Sequence, residues 1–326
     1  GILKESHCNE LLEYDLQTSK WSIIETVGKE KIEPRAEASV VYNNNNEIYI
    51  LGGWYASSDT GEEIYLKEFR VLKVLASHSP NSSTSSLSSS KQKSTLKCEW
   101  TQQKNFFKGK IAGQQAVFYS KTNSMIVFGG RNKEQQFYDG IFSFNFSTSK
   151  WSCITEVAGK KPSSRCMHRM VLINDFLLVF AGWRKDNGLE HYLHDFHKFD
   201  LLTGTWSEIQ ITPAIPSRCS FAMVVLLNQD LFVYGGEQPH TKQKAYNECF
   251  IISPQTAIIE ADEDTRKKKA ASKMQLDEND DEDDEDLEEF EMEQASFKPT
   301  LNDFPSFTIP GTSSGGSFDD HTCANL

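Results

Sequence analysis

Short apolar runs recur through the first 250 positions, and four of them end in a pair of small residues. Glu47–Gly53 reads EIYILGG, Ser124–Gly130 SMIVFGG, Asp175–Gly182 DFLLVFAG and Asp230–Gly236 DLFVYGG. Runs this short, rich in β-branched and aromatic residues and closed by glycine, predict strands rather than helices. Between them lie alternating segments such as Tyr138–Phe144 (YDGIFSF) and Tyr192–Leu201. Alternation with a period of two puts one face of each strand against a neighbour.

Three markers repeat in register. The small pairs are Gly52–Gly53, Gly129–Gly130, Ala181–Gly182 and Gly235–Gly236. The second marker is a tryptophan: Trp21, Trp100, Trp151 and Trp206. The third is a Pro/Ser/Arg lead-in to an apolar strand, carrying Arg35, Arg165 and Arg218. Successive small pairs are 77, 52 and 54 residues apart, and successive tryptophans 79, 51 and 55. The one long spacing in each series coincides with a Ser-rich tract at 76–97, and without it the period is even. A period of about 50 residues with four short strands per unit predicts the blades of a β-propeller. Strand a starts at the arginine, strand b ends at the small pair, strand c holds the alternating segment and strand d carries the tryptophan. A small pair there permits a positive φ or close backbone approach, and the tryptophan fills space between blades.

The small pair, the strand c tyrosine and the downstream tryptophan make the chain resemble the kelch-repeat family from about Asn9 to Ser253. The fold the resemblance implies is all-β, a kelch-type β-propeller. The long segments after the small pairs (WYASSDTGEEIYLKEF, WRKDNGLEHYLHDF) and the acidic stretch look similar to the kelch domain-containing protein 4 group. Two departures stand out. The third repeat has Ala181–Gly182 for Gly–Gly, and the second has GKIAGQQAVFY from Gly109 with no arginine.

The spacing predicts strands c and d of one blade in Asn9–Glu25, then three whole blades, then strands a, b and c ending near Ile252. Four to five blades are thus expected in an incomplete ring, from a parent of six that lost one or two at its N-terminus. The propeller portion is residues 1–253, with 76–97 as an insertion between strands c and d. Residues 254–326 read as a disordered acidic tail, or as a loop ahead of a final strand d. Asp277–Glu293 holds 13 acidic residues and no basic one, too much charge to fold alone.

The net charge of -12 comes from that run, leaving the rest near neutral. Direct nucleic-acid binding, which needs a basic face, is not expected. The 7 cysteines form no C-x-x-C pair and predict free thiols in a reducing compartment, cytoplasmic or nuclear. No apolar run reaches the roughly 20 residues that span a bilayer, so no membrane partner is expected.

Antiparallel alternation puts the d-to-a lead-ins and the b-to-c segments (54–64, 183–191 and 237–245) on one face. That face is the expected partner surface, with Arg35, Trp54, Arg165, His168, Trp183 and Arg218 as its candidate residues. Arg165 and Arg218 admit two readings: gripping a carboxylate or acidic peptide at the channel mouth, or capping carbonyls where blades join. His168 and Arg169 are expected to line the channel. Trp54 and Trp183 either anchor a partner or cover the blade core. His191, His194 and His197 sit at offsets of three, poor geometry for chelation on a strand. Cys166 and Cys219 occupy matching positions and read as small buried residues. Asn81 and Asn145 begin glycosylation sequons, against which the thiols argue. The acidic run reads as a spacer or as a site for a basic protein.

These features predict a non-enzymatic protein-interaction scaffold without a cofactor. Two alternatives are a substrate receptor of a ubiquitin ligase, which needs an adaptor-binding segment, and a copper oxidase resembling galactose oxidase, for which no catalytic constellation stands out.

Overall fold

The repeat markers fall on equivalent places of successive antiparallel sheets. A computed structural model describes residues 2–3, 6–75, 96–103, 107, 109–212, 214–239 and 245–254. Blade 1 supplies two strands, c (Leu12–Asp15) and d (Lys20–Ile23). In blade 2, strands a to d are Ser39–Tyr42, Glu47–Leu51, Phe69–Leu75 and Lys97–Gln102. In blade 3 they are Gln115–Tyr119, Ser124–Phe128, Ile141–Asn145 and Lys150–Ile154. In blade 4 they are Arg169–Ile173, Phe176–Asp186, Leu189–Asp200 and Thr205–Ile209. Blade 5 supplies a, b and c: Ala222–Val225, Leu231–Tyr234 and Cys249–Ile252. Among the described residues the chain is thus an all-β propeller arc with three four-strand blades between two partial ones.

Four details differ from the sequence expectation. Strand a begins four residues after the arginine, at Ser39, Arg169 and Ala222, because the residue following each arginine first bridges to the residue after the small pair: Ala36 to Trp54, Cys166 to Trp183, Cys219 to Glu237. Two of the expected b-to-c loops are paired ribbons. In blade 2, Trp54–Ala56 pairs with Glu63–Tyr65. In blade 4, strands b and c continue past the small pair to Asp186 and Leu189, through a register shift between Phe180 and Gly182. Finally, Thr26–Val27 and Ala158–Gly159 run parallel along the outer strands of blades 2 and 4, covering sheet edges that would otherwise offer unpaired backbone groups. A short hairpin, Ile2–Leu3 with Ser6–His7, precedes blade 1. Strand c of blade 2 ends at Leu75 and strand d begins at Lys97, so the Ser-rich insertion joins them. Residues 76–95 of it, and the acidic segment from 255 onward, lie outside the described residues.

Apolar side chains meet between blades. Val41, Tyr49, Leu51 and Phe69 of blade 2 pack on Met125, Val127 and Phe144 of blade 3. Ile126 and Phe128 of blade 3 pack on Met170, Leu177 and Val179 of blade 4, and Leu178 and Phe180 of blade 4 on Met223 and Val233 of blade 5. The strand d tryptophans of blades 2, 3 and 4 lean on the preceding blade. Trp100 joins Leu11 and Ile24, Trp151 lies 5.5 Å from Phe69 and Trp206 5.4 Å from Phe128. Burying one such ring contributes about 2–3 kcal/mol. Trp21, half-exposed, lies against Tyr14.

The small pairs fasten one blade to the next. The second residue donates its N–H to the lead-in carbonyl of the following blade: Gly53 to Ile111 at 2.8 Å, Gly130 to Arg165 at 2.8 Å and Gly182 to Arg218 at 2.9 Å. Both residues of each pair have positive φ, and a Cβ on Gly52 would sit 2.3 Å from the Ile111 carbonyl oxygen. Both reasons for glycine therefore apply at one position. Ala181 adopts the same left-handed conformation (φ 56) with a methyl group, a strained arrangement for a side-chain-bearing residue. A second series of backbone bonds links the lead-ins themselves: Gly113 N–H to Glu37, Met167 N–H to Gly113 and Ser220 N–H to Met167.

Candidate functional site

The three lead-in arginines are internal caps. Arg165 and Arg218 are completely buried and Arg35 nearly so. Each donates from Nη1 to the carbonyl of the first small-pair residue in its own blade: Arg35 to Gly52 at 3.1 Å, Arg165 to Ala181 at 3.0 Å and Arg218 to Gly235 at 2.8 Å. Each also donates from Nε to the carbonyl two residues back. The charge is met by an acid opposite the first small-pair residue, just ahead of strand c in blades 2 and 5 and within strand c in blade 4. Arg35 pairs with Glu68 at 2.8 Å, Arg165 with Asp195 through two bonds at 2.7 and 2.8 Å, and Arg218 with Glu248 at 3.6 Å. Burial by itself would raise the Asp195 carboxyl, but hydrogen bonds from His197 and Arg165, with the Arg165 charge, hold it well below the usual carboxylate range. Arg218 also lies over the rings of Tyr246 (4.5 Å) and Phe250 (5.0 Å), a favourable cation–π geometry. Blade 3 lacks both partners: Ile111 stands at the arginine position and Gly140 at the acid position.

His168 is also fully buried, and neither ring nitrogen has a hydrogen-bond partner among the described residues. It packs edge-on to Phe128 at 5.4 Å and over Gly129. Burial, then the charges of Arg165 and Arg169, keep it well below its ordinary pKa of 6.5. Gln114 occupies the same repeat position and donates to the Leu51 carbonyl at 2.8 Å. The expected channel-lining role of His168 therefore gives way to a packed position at the junction of blades 3 and 4. Arg169 lies 5.8 Å from the Phe221 ring. Cys166 and Cys219 are buried free thiols, and burial pushes Cys219 up to about 12.

Trp54 and Trp183 are partly exposed, and the geometry joins them through residues the sequence reading missed. Arg131 directly follows the small pair of blade 3 and is almost fully buried. Its guanidinium lies 5.6 Å from the Tyr65 ring and 5.9 Å from the Trp183 ring, and donates to Glu37 at 3.1 Å. Burial opposes its charge, but the Glu37 carboxylate, together with smaller contributions from Cys166, Tyr65 and Glu63, outweighs that and raises its pKa. Trp54 stacks on Tyr65 at 6.3 Å, and Phe137 meets Trp183 at 5.1 Å. The aromatic residues of the ribbons on blades 2 and 4 are thereby tied together across blade 3. Lys133 reaches Glu62 on the blade 2 ribbon at 2.7 Å, and Leu189 stands 67% exposed at the tip of the blade 4 ribbon. Arg131 was legible in principle, as the one cation aligned with Trp54, Trp183 and Glu237 after a small pair. Its partners on other blades were not.

The histidines of blade 4 separate. His197 is buried and bonds Asp195 at 2.9 Å, whereas His194 meets the Ser217 hydroxyl at 3.3 Å. Among the described residues no group of three or more His, Cys, Asp or Glu is arranged to hold a metal ion, and no helix is long and apolar enough to cross a membrane. Asn145 spends its side chain on the turn after strand c of blade 3, accepting from the backbone N–H of Ser147 and Thr148.

Comparison with known proteins agrees with this architecture. The KLHDC2/KLHL20/DRC7 Kelch-repeats domain model matches residues 91–263. Kelch domain-containing protein 3 of Homo sapiens is 27% identical over 115 residues, 35% of this chain and 29% of that protein. Kelch repeat-containing protein 2 of Saccharomyces cerevisiae is 29% identical over 133 residues, 36% of this chain and 14% of that protein. Acyl-CoA-binding domain-containing protein 5 of Arabidopsis thaliana is 28% identical over 135 residues, 41% of this chain and 20% of that protein. The chain thus spans less than a third of these relatives. A solved structure described as "Structure of YjhT" has a TM-score of 0.49 at 13% identity, covering 78% of this chain and 91% of that one. Four repeats with matching small pairs and strand registers, and a kelch model matching a little over half of the residues, place this chain in the kelch-repeat family.

Proposed function

We propose that this chain is a non-enzymatic scaffold that holds a partner protein on the face where the d-to-a lead-ins and the b-to-c ribbons emerge. The observation that most supports this reading is the Arg131 clamp, which holds Tyr65 and Trp183 in one rigid unit. Aromatic residues and arginine, fixed in place and rimmed by charged groups, are the usual anchors of protein interfaces. Trp54, Trp183 and Leu189 present the contact surface, while Arg35, Arg165, His168 and Arg218 keep the blades in register beneath it. The acidic run Asp277–Glu293 adds a second contact suited to a basic partner.

The test is proximity labelling with the intact protein, comparing wild type, Leu189→Asp and a deletion of residues 277–293. Leu189 is exposed, so its substitution leaves stability within about 0.5 kcal/mol of wild type. Loss of the principal labelled proteins with Leu189→Asp supports the face assignment. An unchanged set with both variants refutes it.

A further inference from the structure

Met167 stands two residues after the lead-in arginine of blade 4, in the series of backbone bonds that links the lead-ins. Its N–H donates to the Gly113 carbonyl at 2.8 Å and its carbonyl accepts from the Ser220 N–H at 3.2 Å, so blades 3 and 5 hold its backbone from both sides. The thioether sulfur accepts the indole N–H of Trp183 at 3.2 Å, and the Ser220 hydroxyl lies 3.5 Å from it. Of the 6 methionines, Met274 and Met292 lie outside the described residues. Met125, Met170 and Met223 are 0%, 4% and 8% exposed in the cores between blades. Met167 is partly exposed. The Trp183 ring that it holds is the one that meets Arg131 and Phe137.

We infer that Met167 is a redox-modification site, at which a hydroperoxide oxidises the thioether to the sulfoxide and thereby frees the Trp183 ring from the Arg131 clamp. The step balances with the peroxide alone. A sulfur lone pair attacks one peroxide oxygen, the O–O bond breaks, and the proton of the attacked oxygen passes to the departing hydroxide to give water. Sulfur loses two electrons and the peroxide gains them. Access selects Met167 over the three buried methionines. A thioether is a weak acceptor, so the indole and hydroxyl contacts position the sulfur without withholding its lone pairs.

The consequence for Trp183 follows from space and polarity. Oxygen added on the indole side has no room, because the nitrogen is already 3.2 Å from the sulfur. Oxygen added on the other side draws electron density from the sulfur, which ceases to accept the indole N–H, and the oxygen becomes the stronger acceptor. The backbone has little slack to absorb either change. Met167 is bonded to Gly113 and Ser220, and Trp183 exchanges two backbone bonds with Cys166 at 2.9 and 3.0 Å. The side chains must therefore turn, and the indole leaves its place beside Arg131 and Phe137. Regulation of a partner contact by this oxidation rests on the function proposed above; the oxidation itself does not.

The test treats the intact 326-residue chain with millimolar hydrogen peroxide. Peptide mass spectrometry follows the gain of one oxygen at each methionine. Tryptophan labelled with heavy nitrogen gives an NMR signal for each indole N–H, and the Trp183 signal is the one missing from Trp183→Phe. Met167 should gain oxygen at least about tenfold faster than Met125, Met170 and Met223. The Trp183 signal should shift in step with that gain, and a methionine sulfoxide reductase with a dithiol should restore it. In Met167→Leu, which conserves volume, peroxide should leave the indole signal unmoved. Oxidation of Met167 no faster than that of the three buried methionines, a Trp183 signal unchanged at full oxidation, or an equal shift in Met167→Leu overturns the inference. Leu189→Asp should oxidise as wild type does, so loss of partners in that variant and failure of the Met167 chemistry are read separately.

Discussion

Replacing Asp195 by asparagine strands a buried charge. Arg165 is 0% exposed, and its two nitrogens reach the Asp195 oxygens at 2.8 and 2.7 Å. Asparagine keeps the volume and one acceptor oxygen but removes the counter-charge. Breaking a buried ion pair from one side costs about 3–5 kcal/mol. Asp195 is 26% exposed, so water screens part of the loss, and about 2–4 kcal/mol is expected for Asp195→Asn. Arg165→Met removes the charge instead of stranding it. It leaves the Ala181 and Ser163 carbonyls uncapped, at a cost of about 1–3 kcal/mol. The double variant should then be more stable than the sum of single losses implies, by about 2 kcal/mol. Blade 3, with Ile111 and Gly140 at these positions, already uses an uncharged version of the junction. Urea unfolding followed by tryptophan emission and circular dichroism measures all four proteins. An Asp195→Asn cost below about 1 kcal/mol, or strict additivity, refutes the reasoning. The pH dependence supplies a second reading. The folded carboxyl is held below the ordinary aspartate value of 3.8, so its stabilisation is present above that value and is lost as pH falls toward the folded one. The gap between wild type and Asp195→Asn therefore narrows in acid.

His168 titrates near 6.5 when unfolded and well below it when folded. Its contribution to stability is thus complete above that value and falls as the solution is acidified, by up to about 1.4 kcal/mol per pH unit. His168→Gln, which places the Gln114 side chain type at the matching position, should flatten this slope between about pH 5 and 7 in urea titrations; an unaltered slope would sink the assignment. Among the glycines, Gly52→Ala should cost about 3 kcal/mol, because the methyl group meets the Ile111 carbonyl and φ is positive. Gly235→Ala has a similar φ but its nearest neighbour is 3.5 Å away, so only the backbone cost of about 1 kcal/mol remains. Equal midpoint shifts for the two would disprove the close-approach argument.

The repeat was readable from the chain because its markers are local. A small pair ending an apolar run, a tryptophan a fixed distance on and an arginine ahead of the next strand recur whatever the blades contact, and the all-β propeller and the a-to-d order of its blades followed. The purpose of the arginines was not readable, since an arginine before a strand suits a ligand as well as a buried cap. Only the fold, by bringing Glu68, Asp195 and Glu248 and the small-pair carbonyls to them, settled that Arg35, Arg165 and Arg218 point inward. One clue was present: the acid vanishes in the same repeat that loses the arginine. His168 likewise reads as a channel residue until the neighbouring blade closes over it. Arg131 shows the converse, a residue unremarkable in its own repeat that becomes a clamp because Tyr65, Trp183 and Glu37 arrive from blades 2 and 4. Periodicity specifies what each blade is, because a strand's pattern is set within a few residues. What lies between blades depends on side chains about fifty residues apart, and only packing in three dimensions brings those together.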